Sequence, residues 1–117
     1  MTRNIDVLIV KRVDELILTI EQANILDDLA TYYGIIGCRT IDIVQRKIGK
    51  QWFDIICDDW GLIKAQENNE LPTSIWPQSE CLYGTLILAH HNDEGDLLSV
   101  EPNDLFEVHS ALKKWTN

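Results

Sequence analysis

The chain has 117 residues, 45% of them hydrophobic and 25% charged, with a formal net charge of −9 at pH 7. That length fits one domain with one real core, and the apolar content excludes intrinsic disorder. Residues 1–50 carry seven Lys/Arg against seven Asp/Glu, whereas residues 51–117 carry three against twelve, so the whole imbalance lies in the second part of the chain.

"NIDVLIVKR" reads as a first strand over Ile5 to Lys11, partly buried on both faces. "LILTI", Leu16 to Ile20, reads as its hairpin partner. Thr19 followed by Gln22 matches a capping box, which predicts a helix from Ile20 or Glu21. Ile25, Leu26, Leu29, Tyr32, Tyr33 and Ile36 recur at helical spacing, and Gly34 and Gly37 end the pattern. The tyrosines fit the lower edge of a core.

Ile41 to Gln45 alternates as a third strand, "GK" (Gly49, Lys50) makes a turn, and Gln51 to Asp59 returns as the partner strand. "DDWG", Asp58 to Gly61, has turn chemistry. Ala65 to Glu80 holds two prolines and little periodicity, which predicts a surface loop with Ile75 or Trp76 tucked back. "CLYGTLILAH", Cys81 to His90, is apolar on both faces and should be a central strand, with Gly84 marking a bulge or a close contact. Leu97 to Val100 follows as a short strand. Pro102 opens a final helix that buries Leu105, Val108, Leu112 and Trp115. The expected fold is therefore α+β: a mostly antiparallel sheet of five or six strands with two packed helices, in the order β-β-α-β-β-loop-β-β-α.

Two segments carry a resemblance. "FDIICDDWGLIK" (Phe53 to Lys64) and "YGTLILAHHNDEGDLLSVEPNDL" (Tyr83 to Leu105) resemble an uncharacterised family of small proteins from phages, plasmids and integrated mobile elements of Gram-positive bacteria. The matching positions are Asp54, Asp58, Asp59, Gly61, Leu62, Gly84, Thr85, Gly95, Asp96 and Ser99. The segment ending in "YYGIIGC" is similar as well. The resemblance covers most of the chain after Thr19, and its motifs are turns and core strands. It implies a setting, an accessory gene whose product binds a host protein, and it carries over no catalytic residue.

The densest chemistry is "HHNDEGD", His90 to Asp96. A metal-dependent hydrolase built on His90, His91, Asp93 and Asp96 is the catalytic alternative. Adjacent strand residues point to opposite faces, which argues against both histidines serving one ion. The acidic spacing does not match a calcium loop, and H-x-x-x-H is absent. The run reads as a polar hairpin loop turning at Gly95. Catalytic serine and phosphate-loop motifs are absent too. Cys38, Cys57 and Cys81 are odd in number and unpaired by spacing, as reduced thiols are.

The negative sign disfavours direct nucleic-acid binding. An acidic face serves either solubility or the recognition of a basic partner, including one that itself binds nucleic acid. Trp52 falls on a patterned core position; Trp60 and Trp76 lie in polar loops, as folded-back plugs or as contact anchors. The expected function is a non-catalytic protein without a cofactor that engages a host protein, a nucleic-acid-binding defence protein such as a CRISPR nuclease. The expected contact surface is an acidic patch with loop aromatics: Asp58, Asp59, Trp60, Trp76, Asp93, Glu94, Asp96, Glu101 and Asp104. The four-residue apolar run Val7 to Val10 is far too short for a membrane span or a signal-peptide core. The expected place is the bacterial cytoplasm, and a homodimer through an edge strand is a further arrangement open to this pattern.

Overall fold

The computed structural model describes residues 3–14, 17–73 and 81–116, with side chains through residue 111. In chain order the elements are β1 (Asn4–Arg12), β2 (Leu18–Leu26), α1 (Leu29–Ile36), β3 (Ile41–Ile48), β4 (Gln51–Asp58), α2 (Gly61–Asn68), β5 (Leu86–His91), β6 (Leu97–Leu98) and α3 (Asp104–Thr116). The strands form one six-stranded antiparallel sheet in the order β2-β1-β5-β4-β3, with β6 paired to the end of β5. The α+β expectation holds, with three helices rather than two.

Strand parity explains why β1, β4 and β5 are apolar on both sides. Leu8, Val10, Phe53, Ile55, Leu86 and Leu88 bury against Val108 of α3 on one face. Ile5, Val7, Ile9, Ile56, Ile87 and Ala89 bury against Tyr32 of α1 on the other. Successive side chains alternate between faces, so a strand sandwiched by helices must be hydrophobic at every position.

The predicted helix start at Ile20 or Glu21 is corrected. β2 continues to Leu26 because all nine of its residues pair with β1, from Leu18↔Arg12 to Leu26↔Asn4. The long-range ladder overrides a local capping signal worth about 1 kcal/mol. The helix begins at Leu29, where Asp28 Oδ1 accepts from the Thr31 N–H at 2.8 Å as the true cap. It ends at Gly37, whose φ of 77° supplies the left-handed turn. Gly34 lies inside the helix rather than at its end.

Two further readings change. Part of the predicted loop is helix: α2 runs from Gly61 to Asn68, leaving few regular cues because only Ala65 of it is buried. Trp52 is not core; it is 64% exposed. It shares its face with Asp54 and Ile56, but α1 is only eight residues long and does not reach it. The strand through "CLYGTLILAH" starts later than expected, at Leu86, since Gly84 adopts φ 80°. The reading of Ile75 and Trp76 falls outside the described residues, as do the side chains of Leu112 and Trp115.

Both sheet edges, β2 and β3, lack a strand neighbour on their outer side among the described residues. On β3 some outward groups are met by the strand's own side chains. Asp42 Oδ1 accepts from the Ile43 N–H at 2.9 Å, and Arg46 Nη1 donates to the Gln45 carbonyl at 2.9 Å. Charged side chains placed this way blunt edge-to-edge pairing.

Candidate functional site

The turn joining β5 to β6 is built by Asn92. Its Oδ1 accepts from the Glu94 N–H at 2.9 Å and from the Asp96 N–H at 3.0 Å. Its backbone N–H donates to the Asp96 carbonyl, its carbonyl accepts from the Gly95 N–H, and Gly95 takes φ 88°. Turn aspartates ordinarily bond back to the local backbone; here an amide has taken that work. Asp93, Glu94 and Asp96 are exposed, and none of them forms an ion pair among the described residues. Three carboxylates thus project from an ordered hairpin without an ion-pair partner among the described residues.

The two histidines do lie on opposite faces of β5, and each meets a buried aspartate that sequence spacing did not single out as its partner. His90 continues the side of Leu86 and Leu88. Its ring stacks on Phe53, with centroids 4.8 Å apart and planes at 26°. Its Nε2 lies 2.8 Å from Asp104 Oδ2, which also accepts from the Glu101 N–H at 2.6 Å. His91 continues the side of Ile87 and Ala89, and its Nδ1 lies 2.6 Å from Asp54 Oδ2. Gln45 Nε2 donates to the other Asp54 oxygen at 3.2 Å. Facing a carboxylate, each imidazole donates.

The set His90, His91, Asp93 and Asp96 is therefore not brought together. No group of three or more His, Cys, Asp or Glu side chains converges as a metal site among the described residues. Two buried pairs, His90–Asp104 and His91–Asp54, take the place of one four-residue centre. Asp54 is 4% exposed and Asp104 fully buried, and buried carboxylates require such partners. The available sequence signal for Asp54 was its place as a carboxylate inside the apolar run "WFDIIC".

Asp104 therefore cannot serve a partner-binding face, because its carboxylate is enclosed between His90 and the start of α3. Glu101 beside it stays exposed. Asp58 is largely taken up internally. Lys64 Nζ lies 2.6 Å from Asp58 Oδ2, whose side chain is 9% exposed, and the Trp60 N–H donates to Asp58 Oδ1. That contact, more than anything else, raises the Lys64 ammonium above its ordinary range. Asp59 is exposed, and Trp60 is 54% exposed rather than a core plug. Trp76 lies outside the described residues.

The expected single patch divides in two. β4 and β5 run antiparallel with Asp54 opposite Ala89 and Ile56 opposite Ile87. Asp58 to Trp60 therefore sit at one end of the sheet and Asp93 to Asp96 at the other, about 20 Å apart at roughly 3.3 Å per residue.

Among the cysteines, Cys57 is buried and its thiol is pushed up to about 11, first by desolvation and then by Asp42, Asp58 and Asp59. Cys38 is shifted upward too, again chiefly by burial. All three thiols are free, and the elevated pKa of Cys38 and Cys57 disfavours a nucleophilic role for those two. No helix among the described residues is long and apolar enough to cross a membrane.

A family model for a domain of unknown function, DUF3846, matches residues 5–113, and the chain belongs to that family. No curated protein and no solved structure matches it.

Proposed function

We propose that this DUF3846 member is a non-catalytic binding protein that meets a basic surface of a host protein through the β5–β6 turn. The observation that carries the reading is the turn itself. Asn92 fixes the backbone, and Asp93, Glu94 and Asp96 are left as ordered charges with no ion-pair partner among the described residues. Preorganised carboxylates at a hairpin tip favour rapid, salt-sensitive association with a positively charged partner. The net charge of −9 works in the same direction.

The resemblance to small proteins of phages and plasmids supports a mobile-element setting inside a bacterial host. In that setting the partner is a defence protein whose own basic surface holds nucleic acid, such as a CRISPR nuclease, and the effect of binding is inhibition. Glu101 and Asp59 are exposed acids outside the turn, and they add long-range attraction rather than the contact.

The test is affinity capture from host lysate at low salt, followed by kinetics on any purified partner. The Asp93→Lys/Glu94→Lys/Asp96→Lys variant should associate at least ten times more slowly and lose most of its salt dependence. Capture of no basic partner at low salt would remove the reading, and so would a triple variant that binds as fast as the parent.

A further inference from the structure

At the opposite end of the sheet, a groove of about 710 Å3 runs between the C-terminal end of α1 and the start of α2. Tyr33, Gly34, Gly37, Arg39, Trp60 and Lys64 line it. That size lies within the range of small-molecule sites. Three features of the lining have no structural explanation.

Gly34 lies in the interior of α1, where glycine is less favourable than alanine. Its φ is not positive. A Cβ built there would meet nothing within 4 Å. Neither backbone conformation nor packing calls for glycine, and what the missing side chain leaves is an open floor. Trp60 exposes 54% of its surface over the same groove, and its indole makes no hydrogen bond among the described residues. Arg39 is exposed and forms no ion pair among the described residues. The second cation, Lys64, is already bound to Asp58.

An aromatic wall, a glycine floor and a guanidinium without an ion-pair partner among the described residues suit a flat ring that carries an anion. Rings stack on tryptophan regardless of their edge pattern, and a guanidinium takes a phosphate with paired N–H donors. The surrounding charge limits the anion: Asp58 and Asp59 border this end, and the whole chain is acidic, so each added phosphate meets more repulsion.

We propose that the groove binds a nucleoside monophosphate, with the base stacked on Trp60 above Gly34 and the phosphate on Arg39. The site is separate from the acidic turn and does not depend on the reading given to that turn.

The experiment titrates the full chain with adenosine 5′-monophosphate while following backbone and indole N–H resonances, with calorimetry in parallel. Adenosine lacks the charge and ribose 5-phosphate lacks the ring; each should bind about tenfold more weakly than the monophosphate, as the loss of one such contact implies. Trp60→Ala and Arg39→Ala should each weaken binding to a similar degree. Gly34→Leu should fill the floor and abolish binding while the melting temperature stays level or rises, because leucine is the better helix former. That pairing separates loss of the site from loss of the fold. Three results would overturn the proposal: no shifts in the Trp60 indole at millimolar monophosphate, equal affinity for ribose 5-phosphate, or full binding by a folded Gly34→Leu variant.

Discussion

Replacing Asp104 by alanine tests whether the His90 pair is a structural tie. The carboxylate is fully buried, and one oxygen, Oδ2, accepts from both the Glu101 N–H and His90 Nε2. The first contact anchors the start of α3; the second ties that helix to the centre of the sheet. Removing the side chain orphans both donors. A hydrogen bond to a charged group contributes about 1.5–3 kcal/mol. The other oxygen, Oδ1, is buried without a partner among the described residues, so its removal relieves some desolvation and the lower bound applies to each bond. The net loss is about 3 kcal/mol. With an unfolding entropy of ~2.1 cal/mol/K per residue over 117 residues, that loss lowers the melting temperature by about 12 °C. Thermal unfolding by circular dichroism reads it directly. Asp104→Asn keeps one acceptor oxygen and should lose about half as much. His90→Phe should preserve the stack on Phe53, and a double-mutant cycle with Asp104→Ala should return a coupling of at least about 1 kcal/mol. A melting temperature for Asp104→Ala within about 4 °C of the parent would refute the tie.

Three other outcomes follow from the same geometry. Phe53→Ala removes a side chain 1% exposed together with the ring under His90; chemical denaturation should show a loss of about 3–5 kcal/mol. Cys57 should resist a thiol reagent at pH 8 in the native protein and react at once in denaturant; its folded pKa is raised to about 11. For the same reason, its contribution to stability is complete below the ordinary thiol range and declines as pH rises toward 11, which alkaline unfolding curves would show. The Asp28 carboxyl is held below its ordinary value by its hydrogen bonds to Thr31. Its stabilisation is therefore present above pH 3.8 and lost on further acidification, a dependence that Asp28→Ala should erase from an acid titration of helix content.

The fold was legible where period and face agreed. Val7 to Val10 and Leu86 to Ala89 are apolar at every position because both faces are covered; from sequence alone the first reads as a strand partly buried on both faces and the second as a central strand. What failed was decided at long range. Thr19 and Gln22 present a credible capping box, yet nine ladder pairs with β1 keep that segment extended. Trp52 follows the alternation of a core strand, but its face lies beyond the reach of α1. The exposure of Asp93, Glu94 and Asp96 was legible because "NDEGD" is local turn chemistry. Asp104 was not, since its burial depends on His90 fourteen residues away. The second pair spans thirty-seven residues, from Asp54 to His91, and no spacing rule covers that distance. A carboxylate amid "WFDIIC" nevertheless announces that some partner must exist.

The antiparallel register that divides the acidic surface also makes its two halves independently testable. Asp93 to Asp96 and the Trp60 groove sit at opposite ends of β5, separated by about 20 Å along the strand. Sites that far apart, with no shared side chain, respond additively within a few tenths of a kcal/mol unless a two-state element links them. No such element is apparent, because the sheet between them is buried on both faces and closely packed. The triple lysine variant of the turn should therefore change monophosphate binding only through its general field. Six units of charge are altered, but they act beyond two Debye lengths at physiological salt, where exposed charges are largely screened. Affinity for the monophosphate should rise less than about twofold at that salt and more at low salt. A large change that persists at high salt would mean that the two ends communicate through the sheet, and the additive picture would fail.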